Sequence, residues 1–458
     1  MEKVSSDIII FSLNSSARLN YIVKLLFRSK TFITNDIAVF DSFPGKKINY
    51  SQASLSGVDA QVIPHSLLFE KQIQEQRVTI SSWQGVPIFF EAAGGTIPFD
   101  IFAASFYLIT RYEEWLPHEN DYLGRYRHEQ SLAYQFSFLD QPLVNSWMEK
   151  WTSQNSLPYT KPAFSFKPSY DIDIAYSYSH HAMLRNIGGY FKDLLNANLS
   201  GITDRVQVLA GVRKDPYDVY DWLDELHAKF QLDPIYFFLV ASKRDAIHKN
   251  ISPANKGMKE LIQRIARKYN VGIHPSAQKK SVFNSSESEG LLTEYKLSNG
   301  EYNNRIDGNK KKLRDEKMSI EKLIARNVTQ SRQHYIQLRF PETYEDLLQA
   351  GITEDYSMGY PTISGFRASY TGVFNWFHLL KNEETTLKIF PFCYMDATLI
   401  FHERINPETA HLKMEYYYQQ FQQYGGCFIP IFHNQFLSEQ NNFGGWQRIY
   451  ADFCLRRL

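Results

Sequence analysis

The run Ile235-Tyr236-Phe237-Phe238-Leu239-Val240 contains no polar position. Successive residues of a strand point to opposite faces, so such a run buries both. A sheet buried on both faces is a parallel sheet covered by helices. Segments of helical spacing precede and follow this run: Asp218 to Phe230, Lys256 to Tyr269, Pro341 to Ala350 and His411 to Tyr424. Further short strands are predicted at Phe166 to Asp173, Val271 to His274, Val328 to His334, Phe366 to Ser369, Cys393 to Leu399 and Cys427 to Phe432. Strand and helix alternate through the C-terminal two thirds of the chain. The pattern implies an α/β fold whose parallel sheet is closed as a barrel or nearly so.

The 458 residues allow more than one domain. Prolines at 158, 162 and 168 punctuate the chain, and a boundary is placed near 155–163. Residues 1–158 then form a smaller α/β domain and residues 159–458 the larger one. In the first, Ile8 to Phe11 reads as a strand, Arg18 to Phe27 as a helix, Val39 and Ile48 as parts of short strands, and Leu143 to Trp151 as a helix. Asp100 to Trp115 reads as one buried helix with a charged last turn, Thr110-Arg111-Tyr112-Glu113-Glu114-Trp115. Lys279 to Lys312 is rich in Ser, Asn, Glu, Lys and Gly and reads as an exposed insertion.

Composition excludes several classes. Net charge is +1, so there is no bulk electrostatic case for nucleic acid or an anionic membrane. No apolar stretch is long enough to span a bilayer or serve as an export signal, and Cys393, Cys427 and Cys454 make no C-x-x-C; a reducing, cytoplasmic setting is expected. A P-loop, a G-x-G-x-x-G after a strand, an H-E-x-x-H and a G-x-S-x-G are all absent.

Polar residues fall repeatedly at or just after the ends of the predicted strands: Asp171 and Asp173, His274, His334, Arg367, Asp396 and His433. Taken singly each has a plain explanation, such as a loop histidine, a surface ion pair or a helix cap. In βα barrels, however, the C-terminal ends of the strands form the site. Two histidines and a carboxylate suit a divalent metal with open positions. A second carboxylate suits a base that deprotonates an attacking water, an arginine suits its orientation, and a further histidine suits protonation of a leaving amine. That set describes metal-assisted hydrolysis of an amide or ester.

The pieces Ser169-Tyr170-Asp171-Ile172-Asp173, Gly272-Ile273-His274-Pro275-Ser276, Ser331-Arg332-Gln333-His334-Tyr335, Gly365-Phe366-Arg367-Ala368-Ser369, Met395-Asp396-Ala397-Thr398-Leu399 and Ile431-Phe432-His433-Asn434 stand in the order of the polysaccharide deacetylase (NodB-homology) motifs. The chain resembles a bacterial branch of that superfamily with an extra N-terminal domain, which Thr110 to Trp115 and Gln141-Pro142-Leu143-Val144 resemble. The resemblance implies a distorted (β/α) barrel. It also implies a hydrolase acting on C–N bonds other than peptide bonds, removing an acyl group, usually acetyl, from an amino sugar of a polysaccharide or its precursor. The implied cofactor is a divalent metal, Zn2+ first. By position Asp171 matches the base, Asp173 and His274 metal ligands, Arg367 the arginine that tethers the base, Asp396 the acid that orients the catalytic histidine, and His433 that histidine.

Two departures leave alternatives open. The usual first motif has adjacent aspartates, whereas Ile172 separates Asp171 from Asp173, so base and ligand are interchangeable at this point. The second motif usually carries another histidine four residues on, where this chain has Gln278, a poor ligand; His334 is the candidate replacement. A non-catalytic carbohydrate-binding or assembly relative with a degenerate metal site is therefore the second reading, and a different metal hydrolase on the same scaffold the third.

Overall fold

The architecture is that of a computed structural model, which describes residues 7–455 apart from 29–30, 183–185, 188–194, 196–198, 242–244, 246, 278–298 and 440–442. Gln278 lies outside the described residues. The chain begins with a parallel four-stranded sheet of β1 (Ile8–Phe11), β2 (Thr31–Thr34), β3 (Lys46–Asn49) and β4 (Ala60–Gln61), in the order β2-β1-β3-β4. Helices α1 (Ala17–Phe27), α2 (Ile101–Ile109) and α3 (Leu143–Gln154) pack with it. Each position of α2 is buried, which accounts for a helix apolar all round. Val39, expected in a strand, sits in the short helix Ile37–Ser42, because the Asp36 carboxylate accepts from the backbone N–H groups of Ala38 and Val39 and caps it.

The second sheet holds eight strands. They are β5 (Ser169–Ile172), β6 (Ile235–Phe238), β7 (Asn270–Ile273), β8 (Gln330–Ser331), β9 (Glu354–Asp355), β10 (Phe374–His378), β11 (Glu383–Ile389) and β12 (Ile431–His433), in the order β10-β11-β9-β8-β7-β6-β5-β12. Neighbours are parallel except the β10–β11 hairpin. On β6, Ile235 and Phe237 join Tyr356, Cys427 and Ile429 on one face, while Tyr236 and Phe238 enter the main helix-covered core on the other. Both faces are thus apolar, as the run of six apolar residues predicts.

The sheet is curled. Arg332 follows β8, yet its guanidinium reaches Asp171 and Ser169 on β5, three strands away. Three strand spacings in a flat sheet come to about 14 Å, farther than an arginine and an aspartate span together. The Met395 segment adds one parallel bridge to Ile431 of β12. Among the described residues no strand pairing joins it to β11, so the expected barrel is a curled sheet without continuous closure.

Several expected elements differ. The strand expected from Val328 to His334 is only Gln330–Ser331, and His334 opens a helical turn, His334–Ile336. Phe366 to Ser369 is not a strand, since its backbone serves loop contacts: Gly365 N–H donates to Cys393 O and Phe366 N–H to Leu139 O, each at 2.7 Å. Cys393 to Leu399 contributes the Met395 bridge and then turns helical at Thr398–His402. The helix expected from Asp100 to Trp115 stops at Ile109, because Arg111 takes a left-handed conformation (φ 54°) before a separate turn, Tyr112–Trp115. Residues 299–312 of the expected insertion belong to helix α4 (Asn299–Ile324).

One hydrophobic cluster runs from the N-terminal sheet into the second. Tyr21 of α1 donates its hydroxyl to Asn375 O at 2.7 Å and packs tilted against Phe377, with ring centres 5.0 Å apart. No helix among the described residues is long and apolar enough to cross a membrane. The three cysteines are buried, and no disulfide joins them.

Candidate metal centre and its flanking pairs

Parallel pairing puts His433 of β12 directly beside Asp171 of β5. The chain then leaves β5 after Ile172, so Asp173 stands at the strand's exit, where β7 and β8 also deliver His274 and His334. One donor atom each from Asp173, His274 and His334 lies within 4.8 Å of the others. His274 Nε2 is 3.1 Å from Asp173 Oδ1, and His334 Nε2 is 3.5 Å from Asp173 Oδ2. Two donors about 2.1 Å from a shared tetrahedral ion stand about 3.4 Å apart, so this spacing suits a small divalent cation.

The surrounding bonds fit the same occupant. His274 Nδ1 is 2.6 Å from the Arg332 carbonyl, which fixes Nδ1 as the protonated nitrogen and leaves the Nε2 lone pair toward Asp173. Burial works against a charged His274, yet the neighbouring Asp171 and Asp173 raise its pKa above the ordinary value. Asp173 Oδ1 and His334 Nδ1 are buried and have no hydrogen bond among the described residues. Burial pushes the Asp173 carboxyl up, but His334, His274 and His433 around it hold it well below the usual range. Burial holds His334 below its ordinary value despite Asp173. These residues fit a divalent metal.

Two pairs flank the group. Asp171 accepts from Arg332 Nη1 at 2.8 Å, and Asp171 Oδ2 lies 3.9 Å from His274 Nε2. Arg332 is locked by Ser169 Oγ at 2.9 Å, by Tyr356 O at 3.1 Å and by the Phe237 ring 4.4 Å beneath it. On the other side His433 Nδ1 is 2.6 Å from Asp396 Oδ1, and the His433 backbone N–H donates to Asp396 Oδ2 at 2.5 Å. His433 Nε2 is 3.5 Å from Asp173 Oδ2. Burial works against a charged His433, yet Asp396 and Asp173 raise its pKa well above the ordinary value. Asp171, Asp173, His274, His334 and His433 line one pocket of about 350 Å³.

Arg367 requires a correction. It does not touch Asp171: Nε and Nη2 bind both oxygens of Glu114, at 2.9 and 2.5 Å, and Nη1 donates to Gly359 O at 3.0 Å. Both arginines fall within predicted strands, Val328 to His334 and Phe366 to Ser369, but only the first of these enters the sheet, as β8, so only Arg332 is carried to β5. Arg332 was visible in the same five residues as His334, one position after a serine of β8. Tyr335 closes the same five residues, whereas Arg125, which also lines the pocket, had no comparable signal.

Residues 8–154 match a family of unknown function, DUF7033. No curated protein matches the chain. Among solved structures, one is a proposed polysaccharide deacetylase from Mycobacterium smegmatis. It is 10% identical with a TM-score of 0.37, over 65% of this chain and 87% of that one. Another is a mutant of a CE4 family pseudoenzyme with restored enzymatic activity, 9% identical with a TM-score of 0.27, over 65% of each chain. At these scores neither likeness carries an argument about activity, and the functional reading rests on the side chains.

Proposed function

We propose that the chain is a metal-dependent hydrolase that removes an acyl group, acetyl first, from an amino sugar of a polysaccharide or its precursor. The observation that carries this reading is the Asp173–His274–His334 group flanked by an arginine-held carboxylate and a carboxylate-held imidazole at one pocket. A divalent ion such as Zn2+ bound by the three residues supplies a Lewis acid for the acyl carbonyl. Asp171, oriented by Arg332, takes the proton of the attacking water. His433, held as an imidazolium by Asp396, gives a proton to the departing amine nitrogen. Tyr335 and Phe401, 37% and 52% exposed, line the pocket and offer flat apolar faces for a sugar ring.

The test measures metal by mass spectrometry and acetate release from N-acetylated glucosamine oligomers. Wild type is expected to hold near-stoichiometric metal and His334→Ala to lose most of it, while Asp171→Asn keeps metal and loses at least about a hundredfold in rate. Wild type that stays metal-free after zinc addition sinks the reading. Saccharide binding without turnover in that protein points to the non-catalytic relative instead.

A further inference from the structure

One wall of the pocket comes from outside the curled sheet. Arg125, from the N-terminal region, lines it together with Lys249, His402, Tyr335 and Phe401. Its side chain is only 7% exposed. Nε donates to Asp121 Oδ2 at 2.6 Å and Nη1 to the Tyr335 carbonyl at 2.8 Å. Asp121 is itself fixed, because Oδ1 accepts from the backbone N–H groups of Leu123 and Arg125, each at 2.9 Å. Two nitrogens of the guanidinium are therefore tied and its plane cannot turn. Nη2 has no hydrogen bond among the described residues and is not among the solvent-excluded unpaired atoms, so it is the nitrogen left for the pocket.

The pocket's own carboxylates do not compete for it. Asp171 is held by Arg332, and Asp173 faces three imidazoles. Lys249 adds an exposed ammonium to the lining. The positive field reaches the rim: burial and then the Arg125 charge hold His402 below its ordinary pKa, against the pull of Glu403. A nearly buried, pre-oriented guanidinium recognises carboxylate or phosphate oxygens at little entropic cost. A neutral sugar would leave that nitrogen desolvated and unpaired.

We propose that Arg125 is a specificity-determining residue that binds an anionic substituent, carboxylate or phosphate, on the amino sugar that enters the site. This rests on the saccharide reading above and assigns part of the N-terminal region to substrate selection.

Calorimetric titration of the full chain with N-acetylglucosamine, N-acetylglucosamine 6-phosphate and N-acetylmuramic acid tests it without requiring turnover. At least one anionic sugar is expected to bind ten times more tightly than the neutral one, and which of the two gains separates phosphate from carboxylate. That ratio is expected to fall below twofold in Arg125→Gln and to stay above threefold in Arg125→Lys, which keeps the charge. Reading the ratio cancels a general loosening of the fold. Equal affinity for all three sugars in wild type, or an unchanged ratio in Arg125→Gln, overturns the proposal. Preference for the anionic sugar without acetate release leaves it standing and sinks only the hydrolase reading.

Discussion

Asp396 does not line the pocket itself yet controls what His433 can do there. Its two oxygens hold both the Nδ1 side of the ring and the backbone N–H of the same residue. Asp396→Asn keeps the shape but offers an amide where the imidazolium needs an anion. Turnover is expected to fall by roughly 10²–10⁴-fold with KM within a few-fold of wild type, by analogy with loss of the carboxylate that orients a catalytic histidine. A steady-state comparison showing kcat within threefold of wild type would remove His433 from the proton-donating role. Arg332 is the second such residue. Its charge and four contacts all serve buried groups, which is why a lysine there keeps the charge but not the fork geometry.

The short strands do more at this site than their lengths suggest. β7 contributes Gly272 one residue before the Ile273 that leads into His274. A Cβ at Gly272 would come within 2.6 Å of the Phe237 ring and 2.9 Å of the Gln330 carbonyl. Phe237 and Gln330 stand on β6 and β8, the two strands that pair with β7 on either side. Gly272→Ala is expected to cost about 1–3 kcal/mol through overpacking, with weaker metal binding because His274 moves with its strand. Denaturant unfolding checks the first effect and chelator competition the second; a neutral substitution would mean the sheet opens there without cost. α4 supports the same loop from outside, since Glu316 accepts from the Ser276 backbone N–H at 3.0 Å and from its hydroxyl.

At the scale of the whole molecule, the N-terminal region is tied to the curled sheet through buried charge as well as apolar area. Glu114 is bound by Arg367 and by Arg111 Nε at 2.7 Å, and Arg111 also reaches Glu113 and the Tyr360 hydroxyl. Burial pushes the Glu114 carboxyl up, yet the two guanidiniums hold it at about 2 against an ordinary 4.5. The folded pKa is depressed, so its stabilisation is fully present above about pH 4.5 and is lost as pH falls through about 2. The shift corresponds to roughly 3 kcal/mol. Glu114→Gln is expected to be less stable than wild type by that order at pH 7 in urea unfolding, with the gap narrowing as pH drops from 4.5 toward 2. A gap that does not change with pH would mean the carboxylate charge is not what joins the two regions.

Much of this was legible because burial on two faces writes itself into adjacent positions: β6 shows its apolar run, and the polar residues at or just after the ends of β5, β7 and β12 stand out against their neighbours. The aspartates and histidines now found at one pocket could be named from that rhythm. What each of them meets could not. Arg332 and Arg367 both fall in segments read as short strands, and local pattern does not say which segment enters the sheet or how strongly the sheet curls. Partners such as Asp171 with Arg332, or Arg125 with Tyr335, stand 161 and 210 residues apart in the chain. Contacts of that range depend on strand order and curvature, which many residues set together, so only the tertiary structure decided them.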